Sequence, residues 1–418
     1  MSQTLDRVAR QEGGAILAGL AGRFGGDLER AEEALQEAYA AAAATWERDG
    51  VPDNPAAWLT TTAQRRALDR LRRERTHDAR VRDLAALAER LPEQEEDDVD
   101  LDGSTIDDDR LRLIFTCCHP ALSLEARVAL TVKSLGGLDV AQVAHLFFVP
   151  ESTMAKRLVR ARRKITAAGI PFRVPPDALL PERVAGVLRV VYLVYTGGHA
   201  ATTGDALQRP ELCVEALRLG RLLARLMPDD PEVLGLLALL LLTDARRPGR
   251  HGPDGRPRTM EDQDRSTWDA AAIAEGTTTL DAALRRRRPG SYQLQAAIAA
   301  LHATAPDFAA TDWPQIAALY AALERRHPTP AVRVNRAVAV GFADGPDAGL
   351  ALLATIDAGT AGTALPAARA GLLARAGRAG EARTAYDDAI ARTENAAQRE
   401  ELRALRAATA RRPGPDGS

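Results

Sequence analysis

Ser152, Thr153, Lys156, Arg157, Arg160, Arg163 and Lys164 crowd one short stretch of the chain. Hydroxyl, ammonium and guanidinium donors at that density suit phosphate oxygens and the guanine acceptors of a DNA major groove. Met154, Leu158, Ala161 and Ile165 recur in the same stretch at spacings of four, three and four. Those four form one apolar stripe on a helix, so the donors occupy the faces left over. Just upstream, Asp139 can cap a helix, Gln142 completes a capping box, and Leu138 can staple against Val143. Phe148-Val149-Pro150 then turns the chain into the basic helix. The pattern reads as a helix-turn-helix with a basic recognition helix. The plain alternative is a helical hairpin whose basic face is merely solvated. Phe148 stands where such turns commonly have Gly, and a non-Gly residue at positive φ costs on the order of 1 kcal/mol.

A second basic helix lies earlier. Asn54-Pro55 is a capping side chain followed by proline at the first helical position, and the helix is expected to run through Trp58 to Arg75. Leu59, Ala63, Ala67 and Leu71 fall on one side, with Arg65, Arg66, Arg72 and Arg73 largely opposite. Upstream, Asp27 to Tyr39 reads as an acidic helix, so neighbouring helices present opposite charge to different partners. Trp46 and Trp58 either stack on unpaired bases or fill the core of this small unit.

These sites sit in a chain of 418 residues, 46% hydrophobic but only 4% aromatic. A composition rich in Ala, Leu and Arg favours helices over pleated sheet, so the expectation is an all-α protein of several domains. The 55 basic and 57 acidic residues nearly cancel, so only local charge bears on nucleic acid. Three cysteines make no disulfide framework, the N-terminus lacks a signal pattern, and a cytoplasmic protein is expected. The apolar run from Val233 to Leu242 is about half the roughly 20 residues of a membrane span and reads as a buried helix.

Carboxylates crowd the stretch from Glu93 to Asp109, which repels itself and reads as a linker. It either competes with DNA for the basic helices or simply spaces two domains. A second boundary is expected from Gly169 to Pro181, and the tail from Arg411 to Ser418 reads as disordered. In the large remaining segment Ala348, Leu352 and Ile356 recur 34 residues later as Ala382, Tyr386 and Ile390, the tetratricopeptide period. Gly377 to Glu381 resembles the turn between paired helices of such a repeat. Helix starts at Asp230-Pro231 and Thr329-Pro330 echo one another.

A catalytic reading of this segment rests on Glu261, Asp262, Asp264 and Asp269 near Trp268, with His199 and His302 elsewhere. The competing reading makes those carboxylates helix caps and first-turn charges. Cys117-Cys118-His119 reads as buried thiols and a helix end rather than as a zinc site.

Taken together, Gln36-Glu-Ala-Tyr39, the helix of Trp58 and Ala67-Leu-Asp-Arg-Leu-Arg-Arg73, and Val149-Pro-Glu-Ser-Thr153 through Arg160-Ala-Arg resemble the two domains of an extracytoplasmic-function (ECF) sigma factor of the sigma-70 family. Leu111 to Pro120 and Glu261 to Asp269 resemble the subgroup carrying a tetratricopeptide-like C-terminal extension. The resemblance implies a region 2 domain over 1–75, an acidic linker over 76–109, a region 4 domain over 110–168, and a helical extension over 169–410, before the 411–418 tail. It assigns Asp27, Glu29, Glu33, Gln36 and Glu37 to the β′ clamp helices of RNA polymerase core. It assigns Arg48, Asn54, Trp58, Arg65, Arg66, Arg72 and Arg73 to the -10 element, with a base captured by the Arg48–Asn54 loop. Ser152, Thr153, Lys156, Arg157, Arg160, Arg163 and Lys164 would read the -35 element, beside the β flap. No cofactor, metal, catalysis or membrane is implied. The extension would regulate initiation through contact with the sigma domains. The rival is a helix-turn-helix regulator acting without polymerase, its C-terminal segment sensing a ligand or partner.

Overall fold

In the computed structural model every regular element among the described residues is a helix. The structure describes residues 2–67, 106–136, 138–147, 149–199, 210–252, 258–357, 362–393 and 396–409. Packing divides the chain into two units, Met1–Val191 and Tyr192–Ser418.

The first unit contains α1 (Ser2–Arg23), α2 (Leu28–Asp49), α3 (described over 55–67), α4 (Ile106–Cys117), α5 (Leu124–Gly136), α6 (Val140–Leu146) and α7 (Glu151–Ala167), and the start of α8 (Leu180–His199). Helix α1 packs on α2, α4 and α5, so one helix joins the N-terminal body to the helix-turn-helix body. Small residues permit this: Ala18 and Ala21 are fully buried, and a Cβ on Gly14 would lie 2.8 Å from the Leu135 carbonyl oxygen.

Helix α4 begins at Ile106, so residues 106–109, expected in the linker, are helical. Asp109 is 5% exposed and pairs with Arg112 at 3.3 Å. Helical rotation carries it inward beside Gly22 of α1, whereas in sequence it is the last member of an acidic run. The remainder of that linker, Arg72, Arg73, Phe148 and the C-terminal tail lie outside the described residues.

After α7, Gly169 at φ +58° reverses the chain and Ile170 is buried. Thr116 Oγ1 donates to the Pro171 carbonyl at 3.4 Å, and Arg183 Nη2 of α8 donates to the Phe115 carbonyl at 2.6 Å. These bonds tie the segment beyond residue 168 to the first unit, whose limit falls within α8.

The second unit continues through α9 (Pro210–Leu226), α10 (Pro231–Asp244), α11 (Ala270–Arg285), α12 (Ser291–Thr304), α13 (Trp313–Arg326), α14 (Pro330–Ala343), α15 (Pro346–Leu353), α16 (Ala364–Arg375), α17 (Ala379–Arg392) and α18 (Ala396–Thr409). From α9 onward each helix packs on the next, the nearest-neighbour pattern of a helical repeat array. The apolar run from Val233 to Leu242 is α10, buried on nearly every side between α9, α11 and α12. The echoed starts are real caps: Asp230 accepts from the Glu232 and Val233 amides, and Thr329 accepts from the Val332 amide. Ala382 and Tyr386 are buried along α17 as the 34-residue period predicts. Ile356 departs from it. Helix α15 stops at Leu353, and the Thr355 and Ile356 amides turn back to Leu352 and Leu353, so Ile356 packs from a terminal turn. Gly377 at φ +75° makes the expected break between α16 and α17.

Between α1 and α2 the backbone needs Gly26, which sits at φ +90° with Phe172 where a Cβ would stand, 2.6 Å from the Phe172 Cβ. Gly26→Ala should destabilise the first unit by about 1–3 kcal/mol, through left-handed strain and displacement of Phe172, read by chemical denaturation.

Candidate nucleic-acid interface

The helix-turn-helix is built as its local chemistry dictates. Asp139 Oδ1 accepts from the Gln142 amide at 2.7 Å, and Gln142 Oε1 accepts from the Asp139 amide at 2.9 Å, a complete capping box at the start of α6. Helix α7 follows from Pro150 and buries Met154, Leu158, Ala161 and Ile165. Ser152, Thr153, Lys156, Arg160, Arg163 and Lys164 are all exposed. Arg157 is partly buried and pairs with Glu125 of α5 at 3.2 Å, so it also braces α7.

On α2, Glu29, Glu33, Gln36 and Glu37 are exposed while Leu28, Ala31, Ala34, Leu35, Ala38, Ala42 and Trp46 are buried. Asp27 precedes the helix as its N-cap and accepts from the Arg30 amide at 3.0 Å. Along α3, Leu59, Ala63 and Ala67 are buried and Arg65 and Arg66 exposed, with Asn54 capping through the Ala57 amide at 3.0 Å. Trp46 is a core residue at 3% exposure, and the partly buried Trp58 meets it edge-on, ring centroids 5.6 Å apart. Arg48 is exposed and bonded to Asp49 at 2.7 and 2.8 Å, and this bond holds the Asp49 carboxyl below its usual range.

One residue of α2 does something the sequence reading missed. Glu32 lies 3.0 Å from Lys133 of α5 and 2.9 Å from Arg162 of α7, with side-chain exposures of 10%, 10% and 18%. A buried carboxylate thus clasps two cations belonging to the helix-turn-helix body. Beside it a cavity of about 170 Å³ is lined by Leu17, Leu35 and Leu138 as well as by Glu32, Tyr39 and Lys133, so this junction is of mixed polarity and incompletely filled. The available signal was weak: Glu32 follows Leu28 by four and precedes Leu35 by three, an acidic residue on an apolar face.

The carboxylates of the catalytic reading are engaged structurally. Asp264 accepts from the Ser266 amide and hydroxyl, at 2.9 and 2.7 Å, which lowers its pKa. Asp269 caps α11 through the Ala272 amide, Asp262 accepts from Thr259 Oγ1 at 2.6 Å, and Glu261 faces Arg375 at 3.8 Å. His199 and His302 sit instead in a cluster of arginines. Cys117, Cys118 and Cys213 are buried thiols; burial raises Cys117 well above the usual range and Cys118 to about 11. No helix among the described residues is long and apolar enough to cross a membrane.

Residues 14–77 match the Sigma-70 region 2 family and residues 112–165 the Sigma-70 region 4 family. The ECF RNA polymerase sigma factor SigK of Mycobacterium ulcerans (strain Agy99) is 32% identical over 146 residues, 35% of this chain and 75% of that protein. The chain belongs to the ECF RNA polymerase sigma factors. Residues 183–284 of this sigma factor match a family of unknown function (DUF6596). An uncharacterised protein of Rhizobium meliloti (strain 1021) is 44% identical over 378 residues, covering 90% of this chain and 89% of the relative. No solved structure matches. The sigma factor's partners are RNA polymerase core and promoter DNA, and its family works by recognition rather than catalysis.

Glu32→Gln removes the one carboxylate that, among the described residues, pairs with both Lys133 and Arg162, leaving two cations in a poorly solvated junction. Unfolding of the first unit should become easier by about 3 kcal/mol, measured by urea titration, whereas the exposed Glu29→Gln should change it little.

Proposed function

We propose that the exposed face of α2, with Glu29, Glu33, Gln36 and Glu37 beside the capping Asp27, docks on the β′ clamp helices of polymerase core. The -10 element then meets Arg48, Asn54, Trp58, Arg65, Arg66, Arg72 and Arg73, with one base of the opened strand held at the Arg48–Asn54 loop. The exposed donors of α7, Ser152, Thr153, Lys156, Arg160, Arg163 and Lys164, read the -35 element, and Arg157 joins them once freed from Glu125. The helix-turn-helix body also rests on the β flap. The site of action is the cytoplasm, where polymerase works, and the C-terminal extension regulates initiation.

The observation that carries this reading is the two-faced α2: exposed acids on one side, and Glu32 buried against α5 and α7 on the other. Promoter elements centred roughly 25 base pairs apart span on the order of 80 Å of duplex at about 3.4 Å per pair. A body of 191 residues has a radius of gyration of about 16 Å. The Glu32-clasped arrangement is therefore the free, closed form, and the two bodies part on the promoter.

Three experiments test this. Lys156→Ala should weaken use of the -35 element by about 1–3 kcal/mol in run-off transcription while core binding survives, and Glu33→Lys with Glu37→Lys should abolish core association before any promoter is added. Because the native thiols are buried, dyes on Val51→Cys and Val159→Cys, both 39% exposed, will label selectively. Energy transfer between them should fall when core and promoter are added; unchanged transfer would refute the closed-to-open step.

A further inference from the structure

The second unit gathers guanidinium groups where their own charges oppose one another. Arg246 follows α10, Arg250 ends the short turn after it, and Arg265 comes from the loop before α11. Arg250 Nη1 is held by the His199 carbonyl at 2.7 Å and the imidazole Nε2 at 2.9 Å. Arg265 Nη1 donates to the carbonyls of His302 and Ala305, each at 2.7 Å, and its guanidinium stacks on Trp268 at 4.7 Å. Glu401 faces Arg250, and Asp307 faces Arg265.

Arg246 is different. Its side-chain hydrogen bond goes to Met260 Sδ, 2.8 Å from Nη1, and Tyr195, Tyr320, Arg250, Arg265, His199 and His302 lie within its electrostatic reach. No carboxylate among the described residues pairs with it. Burial and the neighbouring guanidinium charges draw it down to about 10 against the electrostatic support of the two tyrosines. Arg246 Nε, Arg265 Nη2 and His302 Nδ1 are shielded from solvent and lack a hydrogen-bond partner. Burial and these arginines also depress His302 to about 4 and His199 to about 3, so both rings stay neutral at physiological pH.

A buried charge without a countercharge costs several kcal/mol, and most buried polar groups in native proteins are satisfied. A lone water could satisfy one nitrogen but cannot balance the charge. Several nitrogens from separate elements, unsatisfied around one uncompensated guanidinium, fit a missing anionic partner.

We propose that Arg246, flanked by Arg265 and His302, forms a binding site in the C-terminal extension for the carboxylate or phosphoryl head of a small ligand. Guanidinium and imidazole donors recognise either head by the same hydrogen bonds. Tyr195 and Tyr320 frame the site with aromatic surface and hydroxyls. The proposal does not rest on the promoter-binding reading, because every group it uses lies in the second unit.

Calorimetric titration of the full chain with sodium phosphate and, separately, sodium malonate, at ionic strength matched with chloride, tests it. Saturable binding of one anion per chain by either probe, weakened at least tenfold in Arg246→Met, supports the site, and the probe that binds identifies the head group. Thermal unfolding in chloride supplies a second reading. If Arg246 exists to hold a ligand, Arg246→Met leaves the midpoint unchanged or raises it, because an uncompensated charge has been replaced by an apolar chain of similar length. Failure of both anions to bind the parent chain, equal binding by the variant, or a lowered midpoint in chloride overturns the proposal.

Discussion

A carboxylate taken out of water must find countercharge, and Glu32 finds two, on helices far from it in sequence. The packed form of the first unit depends on that clasp. It fixes α2 against α5 and α7 at a junction that apolar contact does not complete, since a cavity of about 170 Å³ remains beside it. Around it the fit is steric: Gly14 admits Leu135, Gly22 admits Asp109, and Gly26 admits Phe172. Buried Leu17, Leu20, Leu113, Phe115 and Leu135 add apolar contact around the clasp, and the charged part of the junction can be exchanged for other charged partners. The exposed acids of α2 and the exposed donors of α7 already carry charges suited to that exchange.

The second unit is stabilised differently. Its central helix α10 has almost no polar face, and neighbours on several sides bury it. Beyond it, helices lean on their immediate successors, and turns are set by local chemistry: Asp230, Asp269, Asp312 and Thr329 each satisfy amides at a helix start. Of the carboxylates before α11, Asp264 and Asp269 cap helix starts, while Asp262 accepts from Thr259 and Glu261 faces Arg375. Arg246 is the departure from this pattern, because its guanidinium is turned inward without the carboxylate that accompanies buried arginine at Arg162.

Much of this was legible in the sequence because the governing forces are local. The Asp139–Gln142 capping box, the Met154–Ile165 stripe, the Leu59–Ala67 stripe and the proline-led starts at Pro231 and Pro330 each depend on residues within one or two turns. The same holds for the exposed acids of α2 and the exposed donors of α7, whose faces are set by helical period alone.

What the sequence could not supply is contact between distant segments. That Glu32 turns inward to Lys133 and Arg162, that Asp109 leaves an acidic run to lie against α1, and that Arg157 braces itself on Glu125 follow from where helices meet. The enclosure of the arginines at 246, 250 and 265 likewise comes from segments far apart in the chain, among them those of Tyr195, His302 and Tyr320. Helical periodicity tells which side of an element is wet or dry, and that is fixed by neighbours a few residues away. Which charge answers which depends on distances of a few ångströms between elements many residues apart, and only the tertiary packing sets those.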